Sequence, residues 1–365
     1  MSMKVGEPAT PAASVDGDAL RRAASVLSEV LAEVPGPMVT IESRCEALRI
    51  GARPPRGRGP GAALMLSGVT SGPLPPTVVP WGPLVRASRS GSSFGLRLSP
   101  GELAVEREGS TSAVLEARST SDAPDLVESR LSRYRTTATM RAEHACLLAR
   151  VIGEGRGDPI DGVAVSPAGW AGTSDGERLV VVPLEEWYHG RQVVVPGRLF
   201  RAVLAFCPDD VTIDVNRRPD DPRLVRLVAF AGRDMLAIED EVLASRFPDL
   251  REVMTVPRRP IVEVADAAEL RAAMARVAPC DSVLLRRNGQ LAEVVGYGAA
   301  GDAPSSPFAG SVAEPVHLRA TRLLDLLDGC EGSLVLSCDD QDHEPLCLSA
   351  EDGTLRGLVS LPRVG

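Results

Sequence analysis

The feature that most constrains this chain is an internal repeat: one order of elements occurs three times, at a period of roughly 120 residues. Each unit opens with an amphipathic helix, runs through strand-like segments, and reaches a second helix, entered through proline, before further strands. At 365 residues the chain exceeds one ordinary domain, and the size rule suits roughly two to four. Three copies of one α+β domain follow, each with two helices packed on antiparallel sheets, divided as residues 1–125, 126–258 and 259–365.

Periodicity supplies the elements. In the first unit Leu20, Ala23, Ala24, Leu27, Val30 and Leu31 predict a helix over Asp18 to Glu33, stopped by Pro35, Gly36 and Pro37. Val39 to Ile50 reads as extended, Pro80 to Ser90 as the second helix, and Phe94 to Arg107 as a hairpin. The polar stretch Ser119 to Ser129 marks the first division. The second unit predicts helices over Thr139 to Ile152, capped by Gly153, and over Pro196 to Cys207 with proline in the first turn. Between them Val163 to Val182 reads as a hairpin; Val211 to Val215 and Leu224 to Phe230 read as strands. After Arg258 to Pro260, Asp266 caps a helix carrying Leu270, Ala273, Met274 and Val277. A last helix over Pro315 to Asp328 and strands at Leu334 to Leu336 and Leu355 to Val359 complete the third unit.

Aromatic residues make up 3% of the chain against 44% hydrophobic overall, so the cores rest on aliphatic side chains. No apolar run suits a signal peptide or a membrane span, which predicts a cytoplasmic protein without membrane partners. Seven dispersed cysteines without a CxxC pair read as reduced thiols. The net charge of −9 argues against a surface coated with base. A local basic lining is compatible with it. The six predicted helices carry Arg21, Arg22, Arg86, Arg89, Arg141, Arg150, Arg198, Arg201, Arg271, Arg276, Arg319 and Arg322, twelve arginines against eight carboxylates. On one common surface these would meet phosphate oxygens without reading bases. Charge alone leaves open that they decorate the solvated faces of ordinary amphipathic helices.

Catalytic and metal motifs are weak. Gly153 to Gly157 lacks the Lys-Ser/Thr of a phosphate loop and ends a helix instead of opening one. Asp339 to Glu344 lacks the spacing of a calcium loop. His144, His189, His317 and His343 have no HxH or HExxH partner, and no Gly-x-Ser-x-Gly elbow occurs. No metal, cofactor or catalytic residue is expected, and an unrelated multidomain enzyme is disfavoured.

Four stretches in order resemble the bacterial DNA sliding clamp, the beta subunit of the replicative polymerase. Ser174-Asp-Gly-Glu-Arg-Leu179 is similar to the family's Thr-Asp-Gly-His-Arg-Leu, and Val193 to Phe200 resembles its strand-to-helix entry. Phe247 to Val253 is similar to Phe/Tyr-Pro-Asp-Tyr-Arg-Arg-Val, and Leu323 to Gly329 to a Tyr-Leu-Leu-Asp-Ala-Leu helix. The first unit matches only in layout. The resemblance implies three DNA-clamp domains and a head-to-tail homodimer, closed as a ring around duplex DNA with the helices inside. Such a ring is a processivity factor and not an enzyme. It also implies a pocket for short peptide motifs of polymerase and clamp loader, walled here by Ser174, Gly176, Arg178, Leu179, Pro248, Val253, Val359 and Leu361. Glu177 and Glu252 stand where the family has His and Arg, and Ser360 to Val364 replaces its Met-Pro-Met-Arg-Leu tail. Added acid disfavours acidic peptides, so a clamp-fold paralogue serving as a scaffold without DNA loading is the alternative.

Overall fold

The computed structural model describes residues 12–32, 34–44, 47–52, 60–67, 69–89, 91–107, 110–118, 135–152, 161–175, 178–187, 191–206, 212–217, 223–243, 247–277, 280–297, 304–327, 330–339, 346–350 and 354–358. Gly153, Gly176, Glu177, His189, His343, Val359 and Leu361 lie outside them. The side chain of Arg322 is likewise not among those described.

The element order passes three times through one cycle: a strand, a helix, five strands, a second helix and three strands. The helices are α1 (Gly17–Leu31), α2 (Trp81–Ala87), α3 (Ala142–Val151), α4 (Gly197–Phe206), α5 (Leu250–Thr255), α6 (Ala267–Val277) and α7 (Ala320–Leu327). Helix α5 stands outside the cycle, between its second and third passes.

Each pass therefore opens on a strand that helical periodicity does not reveal: Ala12–Asp16, Arg135–Arg141 and Arg258–Val264. This shortens the predicted helix over Thr139 to Ile152, because Thr139 to Arg141 pair with Asp214 to Thr212 and hand over to α3 at Ala142. Arg141 thus ends a strand. Arg319 does so too, since Val316–Arg319 pairs with Ser282 to Leu285 before α7 begins. Pro80 and Pro196 are the last residues of strands leading into α2 and α4. Their fixed φ suits both the strand end and the helix entry.

Sheet pairing follows the same cycle. Numbering the nine strands of each pass in order, the fifth, first, seventh, eighth and ninth form one half-sheet, and the fourth, third, second and sixth form another. The ladders run antiparallel, and neighbouring passes fuse where the ninth strand of one meets the fourth of the pass before it. Asp234–Glu241 joins Gly61–Ser67, with Ala237 opposite Ala63, and Leu355–Leu358 joins Arg178–Pro183, with Gly357 opposite Leu179. Two nine-stranded sheets result. The five-stranded half of the first pass and the four-stranded half of the third remain separate.

The chain divides into two compact units: residues 1–149, 185–190 and 195–243, and residues 150–184, 191–194 and 244–365. In the first, α1 buries Leu20, Ala23, Val26, Leu27, Val30 and Leu31, and α4 packs beside it with Leu199, Phe200, Val203 and Phe206 buried. Asp16 caps α1 by accepting from Asp18 N at 3.1 Å. In the second, Leu270, Met274 and Val277 of α6 share a core with Leu285, Val294, Leu323, Leu327, Leu336 and Leu348. Both cores are mainly aliphatic, as the composition requires.

Candidate functional site

Ion pairs decide what the helix arginines can do. In the first unit Arg22 donates to Asp234 at 2.5 Å, and the same carboxylate accepts from Ser67 N and Oγ at 2.6 Å each. Asp234 is 6% exposed along its side chain. Arg198 donates to Asp240 at 2.5 Å, where the carboxylate is 2% exposed. Removing the arginine strands a buried carboxylate, which typically costs about 3–5 kcal/mol, against about 0–1 kcal/mol for an exposed pair. Arg22 and Arg198 are thus held by protein. Their neighbours are paired nearer the surface: Arg21 with Asp18 and with the Gly91 carbonyl at 2.7 Å, Arg201 with Glu29 at 3.5 Å.

Arg141 lies between Glu185 at 2.9 Å and Glu143 at 3.3 Å, and the Glu185 hydrogen bond is the largest cause of its raised pKa. In the second unit Arg271 donates to the Cys330 carbonyl at 3.1 Å and Arg276 to Ser306 Oγ at 2.7 Å. Neither of these partners carries a charge. The side chains of Arg86, Arg89 and Arg319 are exposed and make no hydrogen bond or ion pair among the described residues. Arg150 is exposed at the end of α3. Of the predicted lining, then, the α1 and α4 arginines face carboxylates, whereas those of α2 and α6 do not.

The second unit gathers an apolar cluster at α5. Ala164, Val181, Val194, Phe247, Leu250 and Cys347 are buried in it, and Trp170, Leu179, Val253 and Met254 pack against it partly exposed. Leu179 and Val253 of the predicted wall are therefore brought together. Sequence reasoning missed Trp170 and Met254, although each is a large apolar side chain within a few residues of a motif. Helix α5 sits against the strand Trp170–Ser174 because Gly172 leaves room: a Cβ there would lie 2.8 Å from Leu250 Cδ2.

Three further interactions fix the rim. Asp249 caps α5 through Arg251 N at 2.9 Å. Gln192 donates to the Pro248 carbonyl at 3.0 Å and accepts from Leu250 N at 3.3 Å, which holds the segment carrying Pro248. Arg178 donates to Asp175 at 2.7 Å, and the Asp175 carboxylate also accepts from Arg178 N at 2.6 Å. This local pair offsets the Arg178 charge. Ser174 is buried beside it, Glu252 is exposed on α5, and Leu358 pairs with Arg178, so the closing strand ends at this rim. The arrangement is a partly exposed apolar surface with a hydrogen-bonded polar border, suited to binding short apolar side chains.

Among the described residues no group of three or more His, Cys, Asp or Glu side chains is placed to hold a metal ion, and no helix is long and apolar enough to cross a membrane.

No protein-family model matches the sequence, and neither does any curated protein. Solved structures do. The beta subunit of DNA polymerase III from Thermotoga maritima is 15% identical, with a TM-score of 0.66 over 96% of this chain and 99% of that one. The Helicobacter pylori beta clamp bound to a DNA ligase peptide is 13% identical, with a TM-score of 0.67 over 96% of this chain and 99% of that one. The sliding clamp of Bacillus subtilis is 12% identical, with a TM-score of 0.67 over 97% of this chain and the whole of the other. This chain has the mixed α+β fold of the bacterial DNA polymerase sliding clamps.

Proposed function

We propose that this chain is a divergent sliding clamp. Its three clamp domains, near residues 1–125, 126–258 and 259–365, pair head-to-tail with those of a second copy. The ring so formed encircles duplex DNA and tethers a polymerase without catalysing a reaction. The pairing rule of the sheets carries this reading. Two junctions inside the chain join a ninth strand to a fourth, and among the described residues one of each is left over. These are Ser110–Glu116 at the edge of the five-stranded half and Ser305–Phe308 at the edge of the four-stranded half. Open edges are exposed hydrogen-bonding surfaces that proteins usually blunt or cover. Joined between two copies in the same way, these two would complete further nine-stranded sheets, and two such junctions close a two-subunit ring.

The apolar cluster at α5 is then the docking site for peptide motifs of polymerase, clamp loader and other partners in the cytoplasm. A DNA ligase peptide bound to the Helicobacter pylori clamp supports peptide docking on this fold. The carboxylates facing the α1 and α4 arginines favour a second reading, a clamp-fold scaffold that holds protein partners without loading on DNA.

Retention on circular DNA separates the two. After incubation with a nicked circular duplex, a clamp-loading complex and ATP, a clamp co-elutes with the circle in gel filtration and is released on linearisation. Failure to co-elute, or co-elution that survives linearisation, contradicts encirclement.

A further inference from the structure

Two of the exposed arginines that no side chain restrains, Arg86 and Arg89, lie on a segment of unusual charge. From Ala47 to Gly101 the sequence contains Arg49, Arg53, Arg56, Arg58, Arg86, Arg89 and Arg97 and no lysine, aspartate or glutamate, in a chain whose net charge is −9. Two of the seven are paired with acids from outside the segment, Arg49 with Glu42 at 3.3 Å and Arg97 with Glu106 at 2.6 Å. Arg53, Arg56 and Arg58 lie outside the described residues. Arg86 and Arg89 remain, exposed and three positions apart, Arg86 in the last turn of α2 and Arg89 two residues past its end, without a side-chain hydrogen bond or ion pair among the described residues.

The contrast with α1 and α4 is one of charge available to a phosphate. Arg21, Arg22, Arg198 and Arg201 each face a carboxylate, and Arg22 and Arg198 cannot turn away without stranding a buried one. A cation already compensated by protein releases few counterions on meeting DNA, whereas an uncompensated one contributes nearly fully. We propose that in the first unit Arg86 and Arg89 at the end of α2, and not the arginines of α1 and α4, meet the DNA phosphate backbone. The inference rests on the DNA-encircling reading above. The α1 and α4 arginines instead tie successive passes together: Arg22 to Asp234 and Arg201 to Glu29 both span the first and second passes.

The test is the salt dependence of binding to a fluorescein-labelled linear duplex, read by anisotropy with the full-length protein across a KCl series. Replacing both arginines (Arg86→Gln with Arg89→Gln) should flatten the slope of log affinity against log salt by about 1.8, at about 0.9 for each phosphate no longer neutralised. The lysine pair (Arg86→Lys with Arg89→Lys) should restore it, which separates charge from folding. Removing the carboxylate that faces Arg201, by Glu29→Gln, should steepen the slope by at most about 0.9. A wild-type slope in the double glutamine variant, with wild-type protein binding normally, would overturn the assignment to α2. No binding by the wild-type protein even at low salt would instead overturn the DNA reading itself.

Discussion

Asp234 gathers Arg22 and the Ser67 backbone and hydroxyl on one buried carboxylate, and nothing in the local sequence announces it. Residue spacing marks twelve arginines as helix cations, but the carboxylates that meet Arg22 and Arg201 arrive from other passes of the repeat. Their partners are therefore illegible in sequence, and so is the difference between α1 and α2. Glu293 offers a sharper test at a single residue. Its hydrogen bond from Arg286 at 2.7 Å, with a second from Asn288 at 3.1 Å, holds the carboxyl below its ordinary value of 4.5 against the opposing effect of burial. A carboxyl depressed in the folded state binds protons more readily once unfolded. Its contribution to stability is thus present above the ordinary value and disappears as pH falls through the depressed one. Urea unfolding should show Glu293→Gln less stable than wild type at pH 7, with the gap narrowing below about pH 4 as the wild-type carboxyl protonates. A gap independent of pH would show that ionisation of Glu293 is not what stabilises the sheet.

Secondary elements are more legible than their ends. Helices α1 and α6 emerge from apolar periodicity and the Asp266 cap, which accepts from Ala268 N at 2.8 Å. The opening strands escape because each runs directly or almost directly into a helix, and the periodicity of α3 absorbs the last residues of Arg135–Arg141. Helix α5 is visible in sequence only through its resemblance to a motif. It has six residues, too few for periodicity to register, and its place is set by Leu250 on Gly172. That element carries the proposed peptide site. Tryptophan fluorescence, with Trp170 in the cluster, can follow titration of a short acetylated peptide carrying Leu and Phe anchors. Leu179→Asp puts a charge on the apolar surface and should weaken the titration at least about tenfold, or roughly 1.4 kcal/mol, while the mass of the assembly stays unchanged. Equal titration of the two proteins would show that the peptide does not bind at the α5 cluster.

At the scale of the whole molecule, the threefold order of elements is readable from sequence, but the strand pairing that gives it meaning is not. Antiparallel ladders between passes join residues well over a hundred positions apart, such as Ala63 with Ala237 and Val180 with Arg356, and no local pattern encodes that choice. The same ladders make the prediction of assembly specific. On the edge Ser110–Glu116, Val114 is 55% exposed, a hydrophobic side chain on a strand with no second neighbour in its sheet among the described residues. Ser305–Phe308 is the corresponding edge in the third pass. It is short and contains Pro307, features that guard an edge against promiscuous pairing. Closure by two such junctions would fix the mass of the assembly in solution. Light scattering across a dilution series should give twice the chain's 38.5 kDa, held as the protein is diluted. A mass that stays at one chain over the whole series would contradict ring closure by two copies.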